Sequence, residues 1–82
     1  MPFDWQYIPF HGSPSDMRYL ARSGYLAPEF KDKYSVYEES GGMYVLEILN
    51  VDMTDAGHYR CIEKAGAGEL SYTTVLSVFG ML

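Results

Sequence analysis

One cysteine, Cys61, is all the thiol chemistry that these 82 residues carry. A lone cysteine excludes an internal disulfide and leaves the redox compartment unread. Positive charge is scarce as well: six Lys and Arg against eleven Asp and Glu give a formal net charge of −5. That balance argues against nucleic acid and against anionic membrane surfaces, because phosphates call for a cationic face. No apolar run approaches the ~20 residues needed to cross a bilayer, so no membrane insertion is expected of this segment. The opening MPFDWQYIPF lacks a basic stretch followed by a long apolar one and does not read as a signal peptide. There is no N-x-[ST] sequon, since Asn50 is followed by Val51 and Asp52.

Catalytic and metal chemistry is equally thin. His11 and His58, with one cysteine, show no zinc-ligand spacing. Asp52, Asp55 and Glu63 lack the dense oxygen pattern of a calcium loop, and a corner salt bridge is the better reading of Asp55. The glycines of GAGE, Gly66 to Glu69, are followed by neither the helix nor the lysine of a phosphate loop. Cys61 as a nucleophile would need a base, and His58, three residues away, falls on the opposite face of a strand. No catalytic residue, cofactor or metal site is therefore expected, and no enzymatic activity.

What is present reads as strands. Hydrophobic residues make up 48% and charged residues 21%, the profile of a globular chain, and the length allows one domain over 1–82. HGSPSD, RSG and APE are turn signals that divide Trp5–Phe10 from Met17–Ala21. In KYSVYEE, Tyr34, Val36 and Glu38 alternate with Ser35 and Tyr37. After the turn Ser40–Gly42, MYVLEILNV puts Tyr44, Leu46 and Ile48 on one face at period two. VDMTDAG, Val51 to Gly57, holds at most one helical turn. HYRCIEK alternates Tyr59 and Cys61 with His58, Arg60 and Ile62. AGAGE, Ala65 to Glu69, reads as a hairpin turn, and LSYTTVLSV returns with Thr74, Leu76 and Val78 on one side. Six short strands between turn signals predict an all-β antiparallel sandwich or barrel.

The most informative constellation is L-x-I-x-x-V-x-x-x-D-x-G-x-Y-x-C, formed by Leu46, Ile48, Val51, Asp55, Gly57, Tyr59 and Cys61. Leu46 and Ile48 point to a core at strand spacing, and Val51 is expected to cap it. Asp55 and Gly57 turn the chain, and Tyr59 can bury its ring while its hydroxyl bonds backbone upstream. The pattern resembles the E–F corner of an immunoglobulin domain. Trp5, 56 residues before Cys61, resembles the strand-C tryptophan of variable-type (V-set) domains, and Met17–Ala21 would supply the extra C′ strand.

The resemblance, covering Trp5 to Val78, implies an immunoglobulin-like Greek-key sandwich with strands C, C′, D, E, F and G. Strands A and B, with the first cysteine on B, would be absent, so the domain reads as N-terminally truncated. It implies an ion pair of Asp55 with Lys33, where lysine replaces the usual arginine and gives up its bidentate fork. It implies a core of Trp5, Tyr44, Leu46, Ile48, Val51, Tyr59, Cys61, Leu76 and Val78.

By alternation Gln6, Ile8, Arg60, Ile62 and Lys64 should point away from that core, with Tyr19 and Tyr72 as neighbours. These seven form the candidate interface. The function implied is protein–protein recognition through the C, C′, F and G face, in a cell-surface or secreted parent. Another immunoglobulin-like domain is one candidate partner. A structural intermediate-type repeat of an intracellular or matrix protein, or a fragment with no function of its own, are the alternatives. Without A and B the E strand would be a bare edge, so homodimerisation or strand exchange is expected.

Overall fold

A computed structural model describes residues 3–79, apart from the side chains of Pro14 and Ala65. The chain is an all-β sandwich of two antiparallel sheets. Strands β1 (Phe3–Ile8), β2 (Arg18–Arg22), β3 (Tyr25–Leu26), β6 (Gly57–Ala65) and β7 (Gly68–Leu76) form a five-stranded sheet in the order β3-β2-β1-β6-β7. Strands β4 (Tyr34–Glu39) and β5 (Met43–Ile48) form a two-stranded sheet. This arrangement is compatible with an immunoglobulin-like fold. Six strands are expected from the sequence and seven are found. The addition is the two-residue β3, which folds back on Ala21 and Arg22 after Ser23 and Gly24 turn the chain at positive φ. Two residues carry too little pattern to stand out beside the flanking turn signals.

The register sets two faces. Trp5, Cys61 and Tyr72 are cross-strand partners, as are Tyr7, Tyr59 and Thr74, so these side chains share the inner face that looks at the small sheet. Gln6, Arg60 and Thr73 share the outer face, with Ile8, His58 and Val75 in the next row. The core cluster is Tyr7, Leu20, Tyr34 and Tyr59, with Trp5, Leu26, Phe30, Leu46, Ile48 and Leu76 packed partly buried around it. Four of those ten are aromatic rings with a polar or hydrogen-bonding tip, Trp5 and three of the eight tyrosines, whereas Tyr25, Tyr37 and Tyr72 are exposed. Val51 does not belong to this core. It is 50% exposed, because the chain turns away after Ile48 and no side chain of the small sheet extends over it. Val78 lies past the end of β7 and is half-buried.

The small sheet is set off to one side. Tyr34 of β4 packs on Leu20 of β2 and edge-on to Phe30, and Tyr44 of β5 stacks on Phe3 of β1 at 4.3 Å. β4 therefore covers the β2–β3 side and β5 covers β1. Away from the corner, where Leu76 packs on the core, β6 and β7 run on past β5 and the inner side chains of β7 are left open: Leu70 is 52% and Tyr72 59% exposed.

Candidate functional site

The corner that carries the chain from β5 to β6 fixes both faces. Asp52 caps a single 3-10 turn, Met53–Asp55, by accepting from the Thr54 amide at 2.8 Å, while its own amide donates to Asp55 Oδ2 at 2.9 Å. Bonds from the Thr54 hydroxyl and then the Thr54 amide hold the Asp52 carboxyl below its ordinary range. The buried Asp55 carboxylate also receives Lys33 Nζ at 2.7 Å. Lys33 donates as well to the carbonyl of Asn50 at 3.0 Å, a residue in the left-handed region with φ 50°. One ammonium thus ties both ends of the corner, and the bond to Asp55 is the main reason its pKa rises. A point charge with three rotatable donors does this without a planar fork.

Two tyrosine hydroxyls close the corner from below. Tyr59 Oη donates to the Asp55 carbonyl at 2.6 Å, and Tyr7 Oη to the Ala56 carbonyl at 2.7 Å. Their rings lie 5.1 Å apart. Gly57 is required beside them. Its φ is +155°, and a Cβ there would meet Tyr7 Cε1 at 2.7 Å and the Ile8 carbonyl at 2.8 Å.

Cys61 is buried on the inner face, and His58 is on the outer face with its ring 5.1 Å from Phe10. Burial, followed by the nearby Glu63 and Asp4, pushes the thiol up to about 11. It therefore stays protonated near neutral pH, the reverse of what a nucleophilic cysteine needs. Among the described residues no group of three or more His, Cys, Asp or Glu is placed to hold a metal ion.

The candidate interface residues divide. Ile8, Tyr19, Arg60 and Ile62 are half-buried and Lys64 exposed, all on the outer face of the five-stranded sheet. Gln6 is on that face but only 3% exposed, so it is not part of a contact surface. It is walled in by its cross-strand neighbours Tyr19 and Arg60, and its Oε1 accepts from Arg60 Nε at 2.8 Å. Tyr72 stands on the other face, opposite Cys61. The hairpin turn is Gly66–Ala67 rather than Ala65–Glu69, and period two puts Tyr72 in the inward row of Thr74 and Leu76. β6 extends to Ala65 and β7 starts at Gly68, with Gly66 supplying the positive φ.

The outer face has a charge of its own. Arg60 and Lys64 project from β6, and the Arg22 guanidinium lies 3.7 Å above the Tyr19 ring. Half of the six basic residues thus collect on one face of an acidic molecule. Asp4 there is buried and bonded to the Ser23 amide at 2.8 Å. Beside Arg60 a hollow of about 430 Å³ opens between Ile8, Met17 and the Gly12–Ser13 loop. Met17 is expected from the sequence to open the C′ strand Met17–Ala21, but β2 spans Arg18–Arg22, which leaves Met17 with the loop at the edge of the hollow. Comparison with family models, with curated proteins and with solved structures found no match.

Proposed function

We infer that the chain is a V-type immunoglobulin-like recognition module that binds a protein through the outer face of its five-stranded sheet. The observation that carries this reading is Arg60, held by the buried Gln6 with its guanidinium beside an apolar hollow. An arginine fixed before binding loses little rotamer freedom when it meets a carboxylate. The aliphatic pair Ile8 and Ile62 supplies area to be buried, and arginine with aromatic and aliphatic neighbours is the composition of an interface centre. The partner surface that fits presents an acidic side chain to Arg60 and an apolar one to the hollow. The V-type assignment is supported by the Trp5–Cys61 pairing, by the Tyr59 corner and by β2 lying beside β1. On this reading the parent protein is secreted or displayed at a cell surface, and no catalysis is involved.

The test is selection from a displayed library of immunoglobulin-like ectodomains against the immobilised chain, then repetition with variants. Binding should fall about 30-fold or more with Arg60→Glu or Ile62→Arg, the size of a central contact. Binders that tolerate both variants would overturn the assignment of this face.

A further inference from the structure

The second surface is on the inner side and is independent of the outer face. Among the described residues no strand pairs with the free edge of β5 or with that of β7. Between those edges runs a slot floored by β1 and β6. One end is lined by Trp5, Leu46, Ile48, Tyr59, Thr74 and Leu76, the other by Trp5, Tyr44, Cys61 and Tyr72. The indole Nε1 of Trp5, which borders both ends, is buried with no acceptor. Unpaired strand edges beside exposed apolar side chains, here Leu70 and Tyr72 of β7, are surfaces a sheet protein ordinarily covers.

We propose that a second copy of this chain fills the slot with its own β6 and β7. The argument is one of counting strands. β5 lies over Phe3 of β1, and away from the corner, where Tyr59 and Leu76 pack with Leu46 and Ile48, the two strands β6 and β7 continue past the edge of β5. With strands ~4.8 Å apart and sheets ~10 Å apart, an overhang of two strands fits a vacancy of two strands. A two-fold axis parallel to the strands, midway between the layers, places β7 of the copy beside β5 and above β6, and β6 of the copy above β7.

Each layer then holds seven strands, five from one copy and two from the other, and the free edges of β5 and β7 are paired in both copies. Because β5 and β7 are each antiparallel to β6, the new pairing is parallel, which a ladder tolerates at slightly lower strength. The alternative of joining β5 to β5 of the copy is sterically closed. It would drive the β1 of the copy into the space that β6 already occupies.

The facing chemistry agrees. Leu70, Tyr72, Thr74 and Leu76 of β7 point inward at alternate positions, so the arriving strand presents three apolar side chains and a threonine to the floor. Tyr72 comes beside Leu46 of the copy, since Tyr72 is level with Trp5 and Leu46 lies two residues beyond the Tyr44 that stacks on Phe3. With nine residues in β7 at ~3.3 Å each, the floor and the two edges give roughly 600 Å² per copy, enough for a weak specific dimer. One charge opposes it. Glu63, opposite Leu70, points to the floor and is brought near Glu63 of the copy, so removing it should tighten association.

Sedimentation equilibrium of the 82-residue chain tests the proposal. The wild type should be a concentration-dependent dimer, Glu63→Gln should dimerise more tightly, and Tyr72→Arg should weaken the dimer about 30-fold or more. Thr73→Arg, one residue away on the outer face, should leave it unchanged. A wild-type monomer at every concentration, or a dimer that resists Tyr72→Arg and yields to Thr73→Arg, would overturn the proposal.

The arrangement itself is tested by oxidising Leu46→Cys with Tyr72→Cys in a Cys61→Ser background. Neighbouring strands bring these Cα atoms within the ~4.4–6.8 Å a disulfide needs only across the two copies. A covalent dimer is expected, and a non-covalent dimer without crosslinks would refute the strand order.

Discussion

Replacing Tyr59 by phenylalanine removes one oxygen and nothing else from the corner. The ring is 4% exposed and keeps its place between Tyr7 and Tyr34, so no cavity of consequence opens. What is lost is a buried bond of 2.6 Å to the Asp55 carbonyl. A typical hydrogen bond contributes ~1 kcal/mol net, but a buried acceptor left without a donor adds a desolvation cost of ~1–3 kcal/mol. The expected destabilisation is therefore about 2 kcal/mol. For a domain of this size that corresponds to a fall in Tm of roughly 8–15 °C.

The assay is a thermal melt followed in the near ultraviolet, where the tyrosines and Trp5 report packing. Protein concentration must be held fixed, because any self-association raises Tm by mass action. Tyr25→Phe, with its ring 81% exposed, is the control and should stay within ~0.5 kcal/mol of wild type. Tyr7→Phe should behave like Tyr59→Phe, and the pair should be non-additive by ~0.5 kcal/mol or more, since the two accepting carbonyls are consecutive. A Tyr59→Phe variant as stable as the control would refute the claim that this bond secures the corner.

Three further outcomes follow from the same geometry. Gly57→Ala should destabilise by about 2–4 kcal/mol in a denaturant titration, because the added methyl meets Tyr7 and backbone at a φ that side chains avoid. Asp55→Asn should lower stability in the same measurement, as it removes the counter-charge of the Lys33 ammonium, and solvent screening at the exposed lysine keeps the loss smaller than that of Gly57→Ala. Cys61 should react slowly with a disulfide reagent at pH 8 in the native chain. Its thiol is raised from 9.0 to about 11, so between those values the unfolded chain has released a proton that the folded chain retains. The stabilising contribution is whole below pH 9 and is lost as pH rises through 11, which alkaline melts of wild type and Cys61→Ser would separate.

The corner was legible because its parts are local and each has a distinct chemistry. Asp55, Gly57 and Tyr59 are within five residues, and the alternation of Leu46 and Ile48 states which side is inward. The paired faces of β1 and β6 were also legible, since period two survives wherever a strand is long enough. What escaped depended on neighbours across the sheet. Gln6 points outward, as alternation requires, yet Tyr19 and Arg60 bury it, and no one-dimensional pattern shows that crowding. Val51 is apolar at a core-like spacing, but burial needs a facing layer that the small sheet does not extend over it. Phe3 is buried under Tyr44, and Leu20 and Ala21 are both buried where β1 and β2 meet through a bulge at Trp5–Gln6, because a bulge resets the count of faces.

If a second copy fills the slot, the edges of β5 and β7 are open in one copy and paired in two. Amide hydrogen exchange of the wild-type chain, measured at concentrations above and below the dimer midpoint, reads those edges directly. Peptides covering Met43–Ile48 and Gly68–Leu76 should lose protection on dilution, while β1, paired on both sides within one copy, keeps its protection at every concentration. Protection of β5 and β7 that does not change with dilution would mean that no second copy pairs with these edges.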